Sequence, residues 1–484
     1  PATIKVADKV HPSTKRLPER WRRTDEWYNY RANPRGRVHV LATLDESTYS
    51  GGNMGYDHPI AWCQEFDGGR SWYTGGGHTK ESFSDRFFLR HILGGIRATA
   101  GVVESDCGAT VEANYEKVTL AGSQGVGEPM GLAVLPDGRV LHTSRTGEVR
   151  MYDPETRASR VINRIEVYTH DEEGLQSIAV DPNFEQNHWV YLYYSPPLDT
   201  PPGEWSPENA EAFEGHMNLS RFKLVGDSLD LSTEQVILQV PTTRGICCHV
   251  GGHIDFDDQG NLYLSTGDDT NPFASDGYAP IDERPGREPY DAQRTAANTN
   301  DLRGKLLRIK VRPDGSYTIP EGNLFGEGGK YPNADPDKTR PEIYAMGLRN
   351  PFRFAVDGDG TVYLGDYSPD ASQPNPERGP AGHGEWMIIE EAGNYGWPYC
   401  AGPNMPYRDY DFATGRSGPA FDCEGGPVND SPNNTGLRKL PPAVPPDVWY
   451  PYGESQQFPE LGTGGIGPMG GPVYDYDPDL RSET

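Results

Sequence analysis

The sequence predicts a mainly β fold: blades of a β-propeller over residues 125–484, preceded by a partial α/β domain over 1–105 and a linker over 106–124. Three observations predict it. Glycine and proline, 58 and 44 of 484 residues, show no collagen-like period and punctuate the chain too often for long helices, so many short strands are expected. From Gly125 onward a two-strand unit recurs at long, unequal spacings, as expected of blades whose loops vary around a fixed hairpin. The first hundred residues follow another order, with three strand-like runs, a glycine turn and a helical period.

In that first segment RVHVLATLD (37–45), HPIAWCQEF (58–66) and RSWYTGGGHT (70–79) read as strands, the last ending on the turn. Phe83, Phe87, Phe88, His91 and Ile92 then recur at helical spacing within Glu81–Ile96, with Ser82 and Asp85 near the start. The repeated unit is GLAVLPDGRVLHTSRTGEVRMYD (131–153), GLQSIAVDPNFEQNHWVYLYYS (174–195), GHIDFDDQGNLYLSTGDD (252–269) and FRFAVDGDGTVYLGDYSPD (352–370). Its Asp-Gly pairs, Asp357-Gly358-Asp359-Gly360 included, are hairpin-turn chemistry, because a calcium loop would need a closing Glu and flanking helices. The polar stretch 271–305 lacks an apolar period and is expected as a long loop on one face. Tyr399–Val448 has the same character.

Composition excludes several classes. With 27 Tyr, 15 Phe and 9 Trp the chain is too aromatic to be disordered. A formal charge of −27 repels phosphate backbones and anionic lipid, which argues against nucleic-acid partners and membrane insertion. No apolar run approaches the roughly 18 residues of a spanning helix. Six cysteines without zinc spacing point to an oxidising compartment, hence a secreted or extracellular protein, with Cys63–Cys107 and Cys400–Cys423 as the sequence-local pairs. Reduced, buried cysteines are the alternative. The chain opens PATIKVADKV without an apolar signal core and is read as mature or as a fragment.

The run Cys247-Cys248-His249-Val250-Gly251-Gly252-His253 leads into a strand whose hairpin returns at Ser265-Thr266-Gly267-Asp268. An imidazole at the mouth of a blade, beside glycines that admit close approach, suits a general base, and Asp268 on the neighbouring strand would fix its tautomer. A histidine bonded between blades is the alternative. His78 with Glu81 is a second candidate acid/base pair, against the plainer reading of Glu81 as a first-turn helix residue.

HPIAW, GGRSWYT, GGGHTKESF and GGIRATAG resemble the C-terminal half of a ThuA-like domain, a flavodoxin-like fold, over about residues 1–100, with the opening half of that fold absent. His249 with Gly251-Gly252 and GNLYLSTGD, together with EEGLQSIAVDPNF, GLRNPFRFAVD and GDYSPDA…AGNYGWP, resembles the soluble pyrroloquinoline quinone (PQQ) dependent glucose and sorbosone dehydrogenases over about residues 125–400. The resemblance implies a propeller of six blades when complete, a sugar substrate, PQQ and calcium as cofactors, and a soluble electron acceptor such as a cytochrome or dye. It implies that His249 takes the proton of the sugar's anomeric hydroxyl while Asp268 orients it. Arg349, Asn350 and Tyr367 would bind the cofactor, Ser368 and Pro369 would supply calcium with carbonyl oxygens, and Glu172 and Cys248 would lie against the substrate.

Two departures qualify this. The family usually carries Arg where this chain has His253, and a carboxylate where it has Cys248, so the sugar contacts are expected to differ. Cys247 and Cys248 are read either as a vicinal disulfide or as two free thiols. The family's late basic residues would follow GPMGGPVYDYDPDL, so the chain is read as an internal segment of a longer polypeptide. A non-catalytic extracellular carbohydrate-binding propeller is the alternative function.

Overall fold

The computed structural model describes residues 1–55, 57–108, 120, 127–461 and 466–473. Two compact units result, residues 1–119 and 120–484. Most of the expected linker over 106–124, and the part of GPMGGPVYDYDPDL beyond residue 473, lie outside the described residues.

In the first unit β1 (Ala2–Val6), β2 (Arg20–Arg23), β3 (His39–Asp45), β4 (Pro59–Phe66) and β5 (Gly69–Thr74) form one sheet in the order β2-β1-β3-β4-β5. All of its pairings are antiparallel. The three strands read from the sequence are present, and β1 and β2 are additions. The helix expected over 81–96 is corrected to α1 (Arg86–Thr99), preceded by a 3-10 turn over Lys80–Ser84. Asp85 decides that boundary: its carboxylate accepts the Phe87 N–H at 2.8 Å, a side-chain N-cap that starts the α-helix after the turn. Helix α1 lies on β5 through Gly95, where an added Cβ would come within 2.2 Å of the Trp72 ring.

The second unit is built from four-stranded antiparallel blades. The first is β6 (Pro129–Val134), β7 (Val140–Ser144), β8 (Glu148–Asp153) and β9 (Ala158–Arg164). The second is β10 (Leu175–Val180), β11 (Trp189–Tyr194), β12 (Glu214–Val225) and β13 (Ser228–Thr243). The third is β14 (Ile254–Phe256), β15 (Leu262–Thr266) and β16 (Lys305–Val311), to which β17 (Tyr317–Thr318) and β18 (Ile343–Met346) both pair. The fourth is β19 (Arg353–Val356), β20 (Val362–Asp366), β21 (Gly384–Ile389) and, after a long insertion, β27 (Val448–Tyr450). That insertion returns β22 (Gly393–Asn394) parallel to β18 and forms two small hairpins, β23 (Cys400–Ala401) with β24 (Met405–Pro406) and β25 (Arg408–Asp411) with β26 (Arg416–Ala420).

Each recurrent unit seen in the sequence is the opening hairpin of one blade. The Asp-Gly turns behave as hairpin chemistry: Asp357 accepts the Asp359 and Thr361 N–H groups at 3.1 and 2.9 Å, and Gly360 takes φ +92°. The second strand of a blade is covered on both faces by its neighbours, so β11, WVYLYY, is buried at every residue and reads as a continuous apolar run. The first strands β6, β10, β14 and β19 line one wide central cavity. Across it the Arg353 guanidinium donates to carbonyls of Met130, Gln176, Gly252 and Phe352, one from each blade or its approach.

The loop 271–305 is mostly buried: Ala279, Ile281, Ala292 and Ala296 pack on Trp397, Ala401 and Tyr407 from the last insertion. Small apolar residues without a period give no helical or strand signal, yet suffice for a packed layer over the blades. Among the described residues no helix is long and apolar enough to cross a membrane.

Candidate active site

The chemistry-bearing residues come from different blades but from one end of them. In an antiparallel hairpin the start of the first strand and the end of the second share an end, so loops before β10, β14 and β19 and loops after β15 and β20 meet there. Glu172, His249, Arg349 with Asn350, Asp268 and Tyr367–Pro369 occupy those positions. The motif's glycines mark where chains nearly touch. A Cβ on Gly267 would lie 2.0 Å from the His249 carbonyl oxygen, and one on Gly251 would lie 2.4 Å from the Phe352 ring and 2.8 Å from Asn350 Oδ1.

His249 is held on its ring and on its backbone. Its Nδ1 lies 2.7 Å from Asp268 Oδ1. A buried carboxylate beside the ring places the proton on Nδ1 and leaves the Nε2 lone pair free. Asp268 is fully buried and further fixed by the Thr270 N–H on Oδ1 at 3.1 Å and the Trp397 Nε1–H on Oδ2 at 2.7 Å. The His249 backbone is left-handed, φ +63°, an uncommon conformation for a residue with a Cβ and one that recurs at functional sites. Glu172 Oε2 accepts the N–H groups of His249 and Val250 at 2.7 and 3.3 Å.

Trp397 joins this group to a second one. Beyond its indole lies a small cleft lined by Arg349, Tyr367, Pro369, His383, Glu385 and Trp397. The Arg349 side chain is buried against the Tyr367 and Trp397 rings, with its guanidinium carbon 5.6 and 5.8 Å from their centroids. Its Nη1 has no hydrogen-bond partner among the described residues, and its Nη2 lies 3.6 Å from Asp370 Oδ2. Its backbone N–H and that of Asn350 each donate to one oxygen of Asp366 at 2.7 Å, and its carbonyl accepts the Asp268 N–H at 2.8 Å. Burial pushes Glu385 up to about 8 and Asp366 up to about 6. Glu385 is therefore held toward its neutral form; with Arg349 Nη2 facing Asp370, it is the remaining Nη1 that makes the cleft receptive to a further acceptor.

The structure thus brings His249, Asp268, Glu172 and Asn350 into contact, Asn350 through its Oδ1 on the Gly251 N–H at 3.2 Å. Arg349 and Tyr367 stand on the other side of Trp397. Cys248 is bonded to Cys247, and both sulfurs lie within 4.8 Å of a Glu172 carboxylate oxygen. Cys63–Cys107 and Cys400–Cys423 are also bonded. His253 turns away from the site, with Nδ1 3.2 Å from Ser177 Oγ and its ring edge-on to Phe354. The His78–Glu81 pairing is corrected: His78 pairs with Glu26 at 3.0 Å and with the Tyr28 hydroxyl at 3.2 Å, because the 3-10 turn carries Glu81 outward. The sequence motif contained Trp397 and Asp366, but their roles were not read from it. An indole and a carboxylate remote in sequence acquire those roles only when the blade ends converge.

For a carboxylate-bearing cofactor the residue chemistry fits at one point, the Arg349 Nη1 without an acceptor among the described residues, while the cleft itself, about 10 Å³, admits an edge of such a group and not the whole of it. Ser368 and Pro369 are the residues that the resemblance implies for calcium, and Pro369 lines this cleft. The Pro369 carbonyl accepts the Ser368 hydroxyl at 2.7 Å and is crowded by Gly382, whose added Cβ would lie 1.8 Å from that oxygen. Both oxygens of nearby Asp366 accept backbone N–H groups, those of Arg349 and Asn350.

Fold and site define a propeller protein that sets a carboxylate-held imidazole beside a cleft with an unpaired guanidinium nitrogen. The chain belongs to the glucose/sorbosone dehydrogenase family, whose model matches residues 126–421, and it carries a ThuA domain, described as trehalose utilisation, over residues 1–98. It is 27% identical to aldose sugar dehydrogenase YliI of Escherichia coli, over 60% of this chain and 66% of that protein. It is 23% identical to quinoprotein glucose dehydrogenase B of Acinetobacter calcoaceticus, over 63% of this chain and 57% of that protein. The chain thus spans about three fifths of the length of these relatives. Among solved structures it is similar to a putative glucose dehydrogenase of Thermus thermophilus, with 26% identity, TM-score 0.40, and coverage of 57% of this chain and 66% of that one.

Proposed function

We propose that this chain is a secreted, PQQ-dependent dehydrogenase that oxidises a hydroxyl of an aldose or oligosaccharide and passes the electrons to a soluble acceptor such as a cytochrome or dye. The observation that carries this reading is the 2.7 Å contact between His249 Nδ1 and Asp268, which leaves Nε2 as a base on the same end of the blades as the unpaired Arg349 nitrogen. Secretion is supported by the bonded pairs Cys63–Cys107 and Cys400–Cys423.

Arg349 would hold a carboxylate of the quinone through Nη1, with Tyr367 and Trp397 as apolar walls and Asn350 fixing the loop. When bound, the quinone supplies a two-electron acceptor for hydride. His249 Nε2 takes the hydroxyl proton as the C–H bond breaks, and Asp268 stabilises the resulting imidazolium and keeps the ring from turning. Trp397 holds the second oxygen of Asp268, so the carboxylate cannot rotate off the base.

The test is reconstitution of the full chain with PQQ, followed by dye reduction across a sugar panel and by loss of quinone absorbance on adding sugar. Dye reduction with stoichiometric bleaching is expected. Saturable sugar binding without either signal would put the carbohydrate-binding propeller in its place.

A further inference from the structure

Glu172 comes from the loop ahead of β10 in the second blade, and its carboxylate crosses to the third. There one oxygen accepts two successive backbone N–H groups, His249 at 2.7 Å and Val250 at 3.3 Å. Successive N–H groups beside a left-handed residue form a concave donor pair that binds anions. His249 supplies that geometry with φ +63°. From the other side the His249 carbonyl accepts the Asp269 N–H at 3.0 Å, so the residue is clamped at both of its peptide groups. Removing the carboxylate would leave two N–H groups without this acceptor at residues that are 4% and 9% exposed, and would free one of the two clamped sides of an uncommon backbone conformation.

We propose that Glu172 is a positioning residue whose carboxylate occupies a backbone anion site, holding His249 left-handed so that its ring meets Asp268. This rests on the reading of His249 as the base. It differs from the substrate contact that family resemblance implies for Glu172, because Oε2 is spent on the protein's own backbone.

The experiment compares Glu172→Ala and Glu172→Gln in the full chain, each with and without added formate, by turnover and by thermal melting. Glu172→Ala is expected to lower kcat about 10- to 100-fold, as for a misplaced catalytic group, with KM little changed. Formate should restore much of the loss and raise the Tm of this variant but not of the parent. Glu172→Gln keeps an acceptor oxygen and should retain most of kcat and gain nothing from formate. A raised KM at unchanged kcat in Glu172→Ala would overturn the proposal in favour of a sugar contact. A Tm insensitive to formate would overturn the anion site. If the parent turns over no sugar with PQQ, the proposed function fails, while the formate-dependent melting still decides this inference. If Glu172→Ala does not fold, a Glu172→Gln variant that loses kcat about 100-fold overturns it.

Discussion

Trp397 donates its indole N–H to Asp268 at 2.7 Å, across 129 residues of sequence. The carboxylate that holds the His249 ring is thereby tied to the wall of the cleft beside Arg349. Substitution of Trp397 by Phe keeps the wall but frees Asp268 Oδ2. Kcat should fall about 10-fold, on the scale of one lost buried hydrogen bond, while PQQ affinity stays close to the parent's. Fluorescence titration and dye-linked turnover check the two halves separately.

His249→Ala should lower turnover by roughly 10²–10⁴ while PQQ still binds. Equal turnover to the parent at saturating cofactor would remove His249 from the chemistry.

Arg349→Ala should act the other way round. The variant loses the buried donor that would face a carboxylate, so PQQ affinity should drop first, by on the order of 10- to 100-fold, with kcat recovering at high PQQ. Unchanged affinity by titration would place the cofactor elsewhere.

Burial, with the Arg353 guanidinium beside it, pushes His253 down to about 3. Its unfolded value is about 6.5. A folded value below the unfolded one means that the stabilising difference is complete above about pH 6.5 and is lost as pH falls toward 3. Melting temperature should therefore decline through that window, and more shallowly in His253→Phe, which keeps the contact with Phe354. Parallel slopes in parent and variant would assign the acid loss to other groups.

Arg353 gathers four carbonyls around the central cavity without an acidic partner. Arg353→Met should destabilise the second unit by about 3 kcal/mol or more, since each orphaned buried carbonyl costs about 1–3 kcal/mol. Chemical denaturation followed by tryptophan fluorescence reads this directly.

The sequence by itself determined the blades and the nearness of His249 to Asp268. Alternating strands around Asp-Gly turns can only be hairpins, because the period of two and the turn chemistry are local properties, and four recurrences leave little but stacked blades. The nearness of His249 to Asp268 was legible for the same reason: one hairpin carries both, so its geometry brings the two stretches to one end, while the contact of the ring itself was not. Tertiary structure decided the rest. Glu172 against the His249 backbone, Trp397 on Asp268 and the unpaired nitrogen of Arg349 depend on where separate blades end in space. The buried loop 271–305 and the crowding of the Pro369 carbonyl depend on packing between insertions that share no period. These are contacts between residues tens to hundreds of positions apart, fixed by the common orientation of blade ends, and no local propensity encodes them.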